Sequence, residues 1–321
     1  MIDKTKVYIQ NFVTVCLKSW KYRGNGNYPG QKLYTLKIYN PEVAKKRYAI
    51  LLCKVVNEDT GEEFIMFENS LRKWYFGRNT RQNLRQAQFN DCIRLLSEGI
   101  GVREKDLWNA RVTTFEIGIN LLLNKKFKNI NDCLVRYRGL PREIRFGSVY
   151  FHGKKFKITI YDKWNEIFKS KKMNIYQERF AANFHLVRIE LGVEKMHGFF
   201  KEKASTLADI RDNWDELFAK LVWYIKGIDF VDRISPALSL EDVKTVADFY
   251  GYHFYRRINK NFFKNLYKFE KLMFTQNNKS GDIDNFFSSF ERGISKTHDF
   301  KVEFDLVLDK KVADLYNKGT L

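Results

Sequence analysis

The stretch KFKITIYDKWNE, residues 155–166, alternates apolar and polar side chains and thereby predicts a β-strand. Phe156, Ile158 and Ile160 fall on one face of that strand, and Tyr161 falls on the other. Most tyrosines in strands only pack against their neighbours. Whether the hydroxyl of Tyr161 is reactive therefore depends on what the adjacent strands carry.

Two other segments show the same alternation. Residues 115–120, FEIGIN, and residues 185–194, HLVRIELGVE, each have one apolar face, so their other side chains fall on the opposite face. If all three segments pair in one sheet, that face gathers carboxylates, basic groups and the Tyr161 hydroxyl, over glycines that leave room for a polymer. Its members are Glu116, Gly118 and Asn120 from the first segment and Arg188, Glu190, Gly192 and Glu194 from the second.

Such a set of side chains suits phosphoryl transfer. Carboxylates offer the hard oxygen ligands that Mg²⁺ prefers, and a bound cation neutralises charge at a scissile phosphate. A tyrosine hydroxyl, with an ordinary pKa near ~10, needs a metal, a lysine or a base to become a nucleophile. Lys157 and Lys163 lie near Tyr161 in the sequence. The alternative interpretation is an ordinary solvated sheet face with cross-strand ion pairs.

The spacing of histidines and cysteines argues against other kinds of metal site. The histidines form no H-x-H or H-x-x-x-H pair, and the four cysteines form no C-x-x-C pair. A metal site in this chain is therefore expected to be built mainly from carboxylates.

The chain carries a large excess of positive charge. It has 57 lysines and arginines against 38 aspartates and glutamates, a formal net charge of +19. Residues 201–321 hold 20 basic and 19 acidic side chains, so an excess of 18 falls on residues 1–200. This excess is typical of proteins that bind a polyanion, most often nucleic acid. It places the phosphate-binding surface in the first two thirds of the chain, with the aromatic and basic run at 249–271 as the alternative.

Up to about residue 200 the sequence predicts mainly strands. Segments rich in β-branched and aromatic residues alternate with turn signals, and one helical stripe appears at about 81–99. The strands are expected at 32–40, 48–56, 110–123, 155–163 and 184–193.

Beyond residue 200 the pattern is mainly helical. Thr206 and Asp209 have the spacing of a capping box, and they precede a helical stripe that extends to Ile225. A second stripe over 258–273 predicts another helix. Residues 299–308, DFKVEFDLVL, alternate again and predict a returning strand.

These patterns predict an α+β fold in two domains, a basic one at 1–200 and a mainly helical one at 201–321. No stretch reaches the ~20 apolar residues of a membrane span, and the N-terminal residues lack the apolar segment of a secretory signal. We therefore expect a cytoplasmic protein.

Five segments occur in an order and spacing found in a known family. They are the opening Met1-Ile2-Asp3, VTTFEIGINLLL at 112–123, FKITIYDK at 156–163, LVRIELGVEKM at 186–196 and TLADI at 206–210. This set resembles the phage and plasmid replication initiators related to the gene II protein of filamentous phages. It is most similar to versions from plasmids and prophages of Bacteroidetes, over roughly residues 1–230.

The resemblance implies a chemistry and its residues. In that family the tyrosine of a Y-x-K strand nicks one DNA strand at the origin, and this motif falls on Tyr161 and Lys163. The family's acidic position corresponds to Glu116, where relatives can have Asp, and its V-R-F/I-E motif ends at Glu190. We expect Tyr161 and Lys163 to be the catalytic residues. The expected metal ligands are Glu116 and Glu190, with Glu194 and Asn120 as second choices. The expected DNA contacts are Arg188, Lys157, Lys155 and Arg111.

The sequence thus predicts a rolling-circle replication initiator with an antiparallel-sheet nuclease core flanked by helices. Tyr161 would form a covalent phosphotyrosine intermediate, with Mg²⁺ or Mn²⁺ as cofactor. The expected partners are single- and double-stranded origin DNA and a host helicase, with no membrane. The alternative from a different class is a non-catalytic origin- or RNA-binding protein. That alternative explains the charge but gives no reason for carboxylates beside a tyrosine.

Overall fold

A computed structural model describes residues 2–43, 48–77, 80–124, 134–138, 140–141, 143–168, 173–193, 205–230 and 299–317. Its strands are β1 (Ile2–Ile9), β2 (Lys21–Asn25), β3 (Gln31–Tyr39), β4 (Ala49–Asn57), β5 (Glu63–Ser70), β6 (Arg111–Asn124), β7 (Leu134–Tyr137), β8 (Leu140–Pro141), β9 (Glu143–Arg145), β10 (Ser148–His152), β11 (Phe156–Asp162), β12 (Phe184–Val193) and β13 (Ile228–Phe230). Ten of them form one sheet in the order β2-β3-β4-β5-β1-β6-β12-β11-β10-β9, and β13, β7 and β8 form a second.

Several of the described helices begin or end at recognisable signals. The described helices are α1 (Leu71–Phe76), α2 (Gln86–Ile100), α3 (Glu104–Trp108), α4 (Lys163–Phe168), α5 (Ile175–Asn183), α6 (Leu207–Asp212), α7 (Trp214–Lys226) and α8 (Asp299–Asn317). The predicted capping box is present at α6, where the Thr206 side chain accepts from the backbone N–H of Asp209. Gly101, at φ 84°, ends α2 in the left-handed region that favours glycine. None of these helices combines the length and apolar composition needed to cross a membrane.

The predicted α+β class is confirmed, since a large antiparallel sheet is accompanied by several helices. The five strands predicted before residue 200 correspond to β3, β4, β6, β11 and β12. The helix predicted at 81–99 is α2, which begins a few residues later. The predicted helix stripe at 258–273 and the aromatic run at 249–271 lie outside the described residues.

The strand predicted at 299–308 is wrong, because this segment is the first part of α8. Phe304 and Leu308 are buried one helical turn apart, whereas Val302 and Leu306 are 55% and 65% exposed. A segment with apolar residues at every second position also has them four positions apart. It therefore fits a helix whose remaining apolar residues face solvent.

One hydrophobic cluster connects the sheet to helices from both sides of residue 200. Ile117 and Ile119 of β6 belong to it, as do Leu217 and Leu221 of α7 and Phe304 of α8. The backbone N–H of Val112 donates to the carbonyl of Ser205 at 2.7 Å and so joins β6 directly to the start of α6. The described core is therefore not divided at the predicted domain boundary.

Candidate active site

Neighbouring strands β6, β12 and β11 place the predicted polar residues on one sheet face. Their register aligns three rows of side chains across the sheet, and each row crosses all three strands. The rows are Asn120–Arg188–Tyr161, Gly118–Glu190–Thr159 and Glu116–Gly192–Lys157. The structure therefore brings Glu116, Glu190 and Tyr161 together, as the alternation of their strands requires once they pair.

A bulge in β1 adds a carboxylate that the predicted site did not include. Ile2 pairs with Ile117 and Thr5 pairs with Phe115, so three steps along β1 match two steps along β6. The extra residue re-aims the intervening side chains, because a bulge shifts which face a residue occupies. Asp3 accordingly lies with the carboxylates of the site face rather than with the core residues that follow it on β1.

Asp3, Glu116 and Glu190 form a compact carboxylate cluster. One oxygen from each lies within 4.8 Å of the others, a spacing that can hold one metal ion. Asp3 and Glu190 are buried, and Glu116 is half-buried. Among the described residues, no hydrogen bond reaches the Glu116 carboxylate or Oε2 of Glu190. These oxygens are therefore available to a cation.

Two buried arginines balance part of this negative charge. Arg188 Nη2 and Arg72 Nη2 both donate to Oδ2 of Asp3 at 2.9 Å, and Arg188 Nε donates to Oε1 of Glu190 at 3.0 Å. Ser70 Oγ also donates to Asp3. Burial alone raises the pKa of Asp3, but the two guanidinium groups outweigh it and hold that pKa well below its usual range.

Glu116 is the carboxylate without an arginine partner in the described structure. Burial, followed by repulsion from Glu190 and Asp3, raises the pKa of Glu116 to about 8. The site therefore has one positive charge too few at neutral pH. When no cation supplies this charge, Glu116 takes up a proton instead.

Tyr161 points into the same cluster. Its hydroxyl donates a hydrogen bond of 2.9 Å to Oε1 of Glu190, and Nζ of Lys163 lies 3.4 Å from the hydroxyl oxygen. Burial, and then the negative charge of Glu190, raise the pKa of Tyr161 above its ordinary value. The phenol is thus positioned beside the carboxylates but needs a nearby positive charge to lose its proton.

Lys163 begins α4 directly after β11, and its side chain is fully buried. It pairs with Glu166, one turn further on, which also accepts from Nζ of Lys73 at 2.8 Å. Burial and the charge of Arg72 lower the pKa of Lys163 to about 8. Burial opposes ionisation of Glu166, yet its two lysine partners lower its pKa to about 2. Glu166 therefore remains charged and holds Lys163 next to Tyr161.

The cluster lies in an open cleft of about 820 Å³. Tyr161, Glu116 and Glu190 line it together with the basic residues Lys4 and Lys157. A cleft of this size admits a nucleotide and its flanking phosphates, and the lysines at its walls favour an anionic ligand.

Gly118 provides space for Arg188 rather than for a polymer. A Cβ atom built on Gly118 would lie 2.7 Å from Nη2 of Arg188 and 2.7 Å from the carbonyl oxygen of Ile189. The guanidinium group therefore occupies the space that the missing side chain leaves. At Gly192 a Cβ would meet only the carbonyl of Lys157, at 3.7 Å, so that part of the face is open.

Arg188 and Asn120 have structural partners that differ from their predicted roles. Arg188 is fully buried and forms ion pairs with Asp3 and Glu190. A side chain in this position does not reach the surface, so the prediction that Arg188 contacts DNA directly is wrong. The amide of Asn120 donates to the carbonyl of Arg81 at 2.6 Å, and Arg188 donates to its Oδ1 at 3.4 Å. Asn120 thus supports the arginine rather than joining the carboxylate cluster.

The remaining predicted residues lie at different distances from the site. Lys157 lines the cleft. Lys155 is exposed in the turn before β11, at the opposite end of that strand from Tyr161. Arg111 is exposed at the start of β6, five positions before Glu116. Glu194 lies outside the described residues.

Sequence reasoning did not assign Asp3, Arg72 or Glu166 to the site. Asp3 stood in the opening motif of the resemblance, which was the available signal, but a regular strand would have turned it towards the core. Arg72 and Glu166 lie on short helices that periodicity did not reveal. Comparisons of the chain with protein-family models, with curated proteins and with solved structures found no match.

Proposed function

We propose that this protein is a rolling-circle replication initiator, which nicks one DNA strand at an origin and later rejoins it. The observation that carries this proposal is the Tyr161 hydroxyl donating to Glu190 at 2.9 Å, inside a cluster of three carboxylates. Gathering three carboxylates at a partly buried site costs free energy through desolvation and repulsion. A catalytic site requires such a group of carboxylates in spite of this cost, whereas an ordinary solvated sheet face does not.

The donors of the cluster fit a divalent cation such as Mg²⁺ or Mn²⁺. Asp3, Glu116 and Glu190 would hold it through hard oxygen ligands, and the raised pKa of Glu116 marks where its positive charge is missing. When bound, the cation supplies charge neutralisation at the scissile phosphate and favours the ionised forms of nearby oxygens.

Tyr161 acts as the nucleophile in this proposal. Its oxygen forms a bond to phosphorus while the bond from phosphorus to the 3′-oxygen breaks, which leaves a 5′-phosphotyrosine and a 3′-hydroxyl. Lys163 in its neutral form accepts the phenolic proton, and the departing 3′-oxygen takes that proton up. The phosphodiester is exchanged rather than hydrolysed, so the reverse reaction rejoins the strand without ATP.

The rest of the constellation holds these groups in place. Glu166 orients Lys163 from one side of Tyr161, and Arg188 orients Glu190 from the other. Because Arg188 and Lys163 are buried, they act by positioning and proton transfer, while contact with DNA phosphates falls to cleft residues such as Lys157.

The test is an assay for a covalent protein–DNA adduct. A supercoiled plasmid carrying the DNA that flanks the gene is incubated with the protein and Mg²⁺ or Mn²⁺, and with EDTA as the control. We expect relaxed or nicked plasmid and an adduct that survives SDS, both only with metal. Tight DNA binding without cleavage under any of these metals would instead support the non-catalytic alternative.

A further inference from the structure

A second cavity lies between the start of α2, the second half of β6, β12 and α8. Its volume is about 670 Å³, and it shares no lining residue with the cleft that contains Tyr161. Ligand pockets in proteins ordinarily have volumes of about 300–1,000 Å³. The cavity is therefore a separate candidate binding site, which the proposed reaction does not use.

The walls of this second cavity carry mostly positive charge. Its basic lining residues are Arg81, Arg85, Lys310 and Lys311, and Asp314 is the one acidic lining residue in the described part of the chain. Arg81, Arg85 and Lys310 form no ion pair with another described residue. A cavity lined by one sign of charge concentrates ions of the opposite sign. The lining residues thus favour a ligand with several negative charges.

The start of α2 adds to this positive charge. Arg85 is the N-cap of the helix, and no acidic residue lies in its first turn. The N-terminus of a helix carries a partial positive charge from its free N–H groups, so acidic side chains or bound anions are favoured there. A basic N-cap is the opposite arrangement. An anion in the cavity would complement both the helix and Arg85.

A buried amide in the cavity wall lacks a hydrogen-bond acceptor. Asn83 is 8% exposed and lines the cavity. Its Oδ1 accepts from Nη1 of Arg188 and from the backbone N–H of Asn120, each at 3.3 Å, and this orients the amide because an arginine only donates. Its Nδ2 is buried and has no hydrogen-bond partner among the described residues. A buried donor without an acceptor destabilises the folded chain, so an oxygen of a ligand is the expected partner.

Apolar side chains form the remaining wall of the cavity. They are Phe76, Leu121, Leu122, Leu186 and Val307. A planar organic ring can pack against such a surface while charged groups of the same molecule meet the basic residues. The cavity therefore suits a ligand with one apolar end and one strongly anionic end.

We propose that this cavity binds a free nucleoside triphosphate, with its phosphates near Arg81, Arg85, Lys310 and the Asn83 amide and its base against the apolar wall. A DNA strand brings one negative charge per nucleotide, whereas a triphosphate brings several charges to one place. Arginine and lysine both bind phosphate oxygens through charge-assisted hydrogen bonds. Because the proposed strand exchange proceeds without ATP, the nucleotide is a bound ligand here rather than a reactant.

The experiment measures the binding of ATP and of GTP to the full chain by isothermal titration calorimetry. EDTA is present, so that no cation bridges a triphosphate to the carboxylate cluster. Inorganic tripolyphosphate and adenosine are titrated separately, because they represent the two ends of the ligand. We expect at least one nucleotide to bind, tripolyphosphate to bind about tenfold more weakly, and adenosine to show no detectable binding.

Three variants alter the wall of the cavity. Arg85→Gln and Lys310→Gln each remove one exposed charge, and each should weaken nucleotide affinity about tenfold. Asn83→Asp still accepts from Arg188 but replaces the unpaired donor with a negative charge, so it should weaken affinity at least as much. Urea unfolding of each variant, compared with wild type, checks that the fold is kept.

Two lysines provide charge-matched controls. Lys157→Gln changes the cleft that contains Tyr161, and Lys105→Gln removes an exposed charge outside the lining residues of both cavities. Both variants should bind the nucleotide as wild type does. A loss of affinity in Lys157→Gln equal to that in Arg85→Gln would move the nucleotide to the carboxylate cleft and overturn the proposal.

Other outcomes would also overturn it: no binding of either nucleotide, equal affinity for tripolyphosphate, or unchanged affinity in both Arg85→Gln and Lys310→Gln. Competition with (dT)20 tests the remaining source of phosphate. If (dT)20 displaces the nucleotide and loses as much affinity in the same variants, the cavity is a DNA-backbone site instead. None of these readouts involves cleavage, so they are independent of whether the chain nicks DNA.

Discussion

The hydroxyl oxygen of Tyr161 is the single atom on which the proposed reaction depends most directly. We expect Tyr161→Phe to abolish the SDS-resistant adduct and strand nicking, while affinity for duplex DNA stays within about twofold because no charge is removed. The lost hydrogen bond to Glu190 should lower the free energy of unfolding by about 1 kcal/mol. Adduct formation and filter binding, measured on the same preparation, check both expectations.

Normal nicking by Tyr161→Phe would contradict the assignment and pass the role to another tyrosine. Tyr176 on α5 is the next candidate in sequence, and it is 78% exposed. Tyr176→Phe is therefore the matched control, for which we expect wild-type adduct formation.

The charge state of Glu116 should make stability depend on pH. Because folding raises the pKa of Glu116 from its ordinary value to about 8, the folded state binds more protons between about pH 4.5 and 8. The free energy of unfolding in EDTA should therefore fall as pH rises through this window, by an amount on the order of a few kcal/mol. Urea titrations at intervals of pH measure it.

Glu116→Gln is the control for this pH dependence, since glutamine has the same shape and does not ionise. The variant should lose the decline between about pH 5 and 8. Added Mg²⁺ or Mn²⁺ should stabilise the wild type at pH 8 and have less effect on the variant. A wild-type profile identical to that of Glu116→Gln would show that Glu116 has an ordinary pKa.

At the scale of elements, the pairing of β6 with β12 depends on the absence of a side chain at Gly118. We expect Gly118→Ala to destabilise the protein by about 1–3 kcal/mol, because the new Cβ would lie 2.7 Å from both the Arg188 guanidinium and a backbone carbonyl. Gly192→Ala, on the paired strand, is the matched control, since its Cβ has only one neighbour, at 3.7 Å. Urea unfolding of both variants tests the difference. Equal stability would mean that the Arg188 side chain and the Ile189 carbonyl can both move aside without cost.

Strand periodicity predicted the main elements of the site but not its irregular parts. Alternation placed Glu116, Tyr161 and Glu190 correctly, because their strands are regular and pair directly. Alternation could not assign Asp3 to the site, because a bulge depends on the register between two strands and cannot be recognised from the sequence of one strand alone. The burial of Arg188 could not be predicted from the sequence either, because a charged residue on a polar face is ordinarily exposed.

The segment at 299–308 shows a different limit of sequence reasoning. Its alternating apolar residues satisfy both a strand and one stripe of a helix. Packing of Phe304 and Leu308 into the common core selected the helix, and the remaining apolar residues were left in solvent. Tertiary contacts of this kind cannot be read from a local pattern.

At the scale of the whole molecule, the shared core predicts how the chain can be divided. A fragment of residues 1–200 lacks Leu217, Leu221 and the other core residues of α6 and α7. We expect it to show no cooperative urea transition, although it carries an excess of 18 positive charges. Circular dichroism during urea titration, with the full chain as control, tests this. A cooperative transition in the fragment would instead support the predicted two-domain division.

The position of Tyr161 within the sheet has a mechanical consequence. β11 pairs along seven residues with β12 and along five with β10, so the strand that carries Tyr161 is held on both edges. If DNA becomes covalently attached to this tyrosine, tension in the DNA is transmitted to two hydrogen-bonded ladders in the sheet rather than to a single loop or helix. The proposed initiator would then resist extraction of its nucleophile while a helicase pulls on the attached strand.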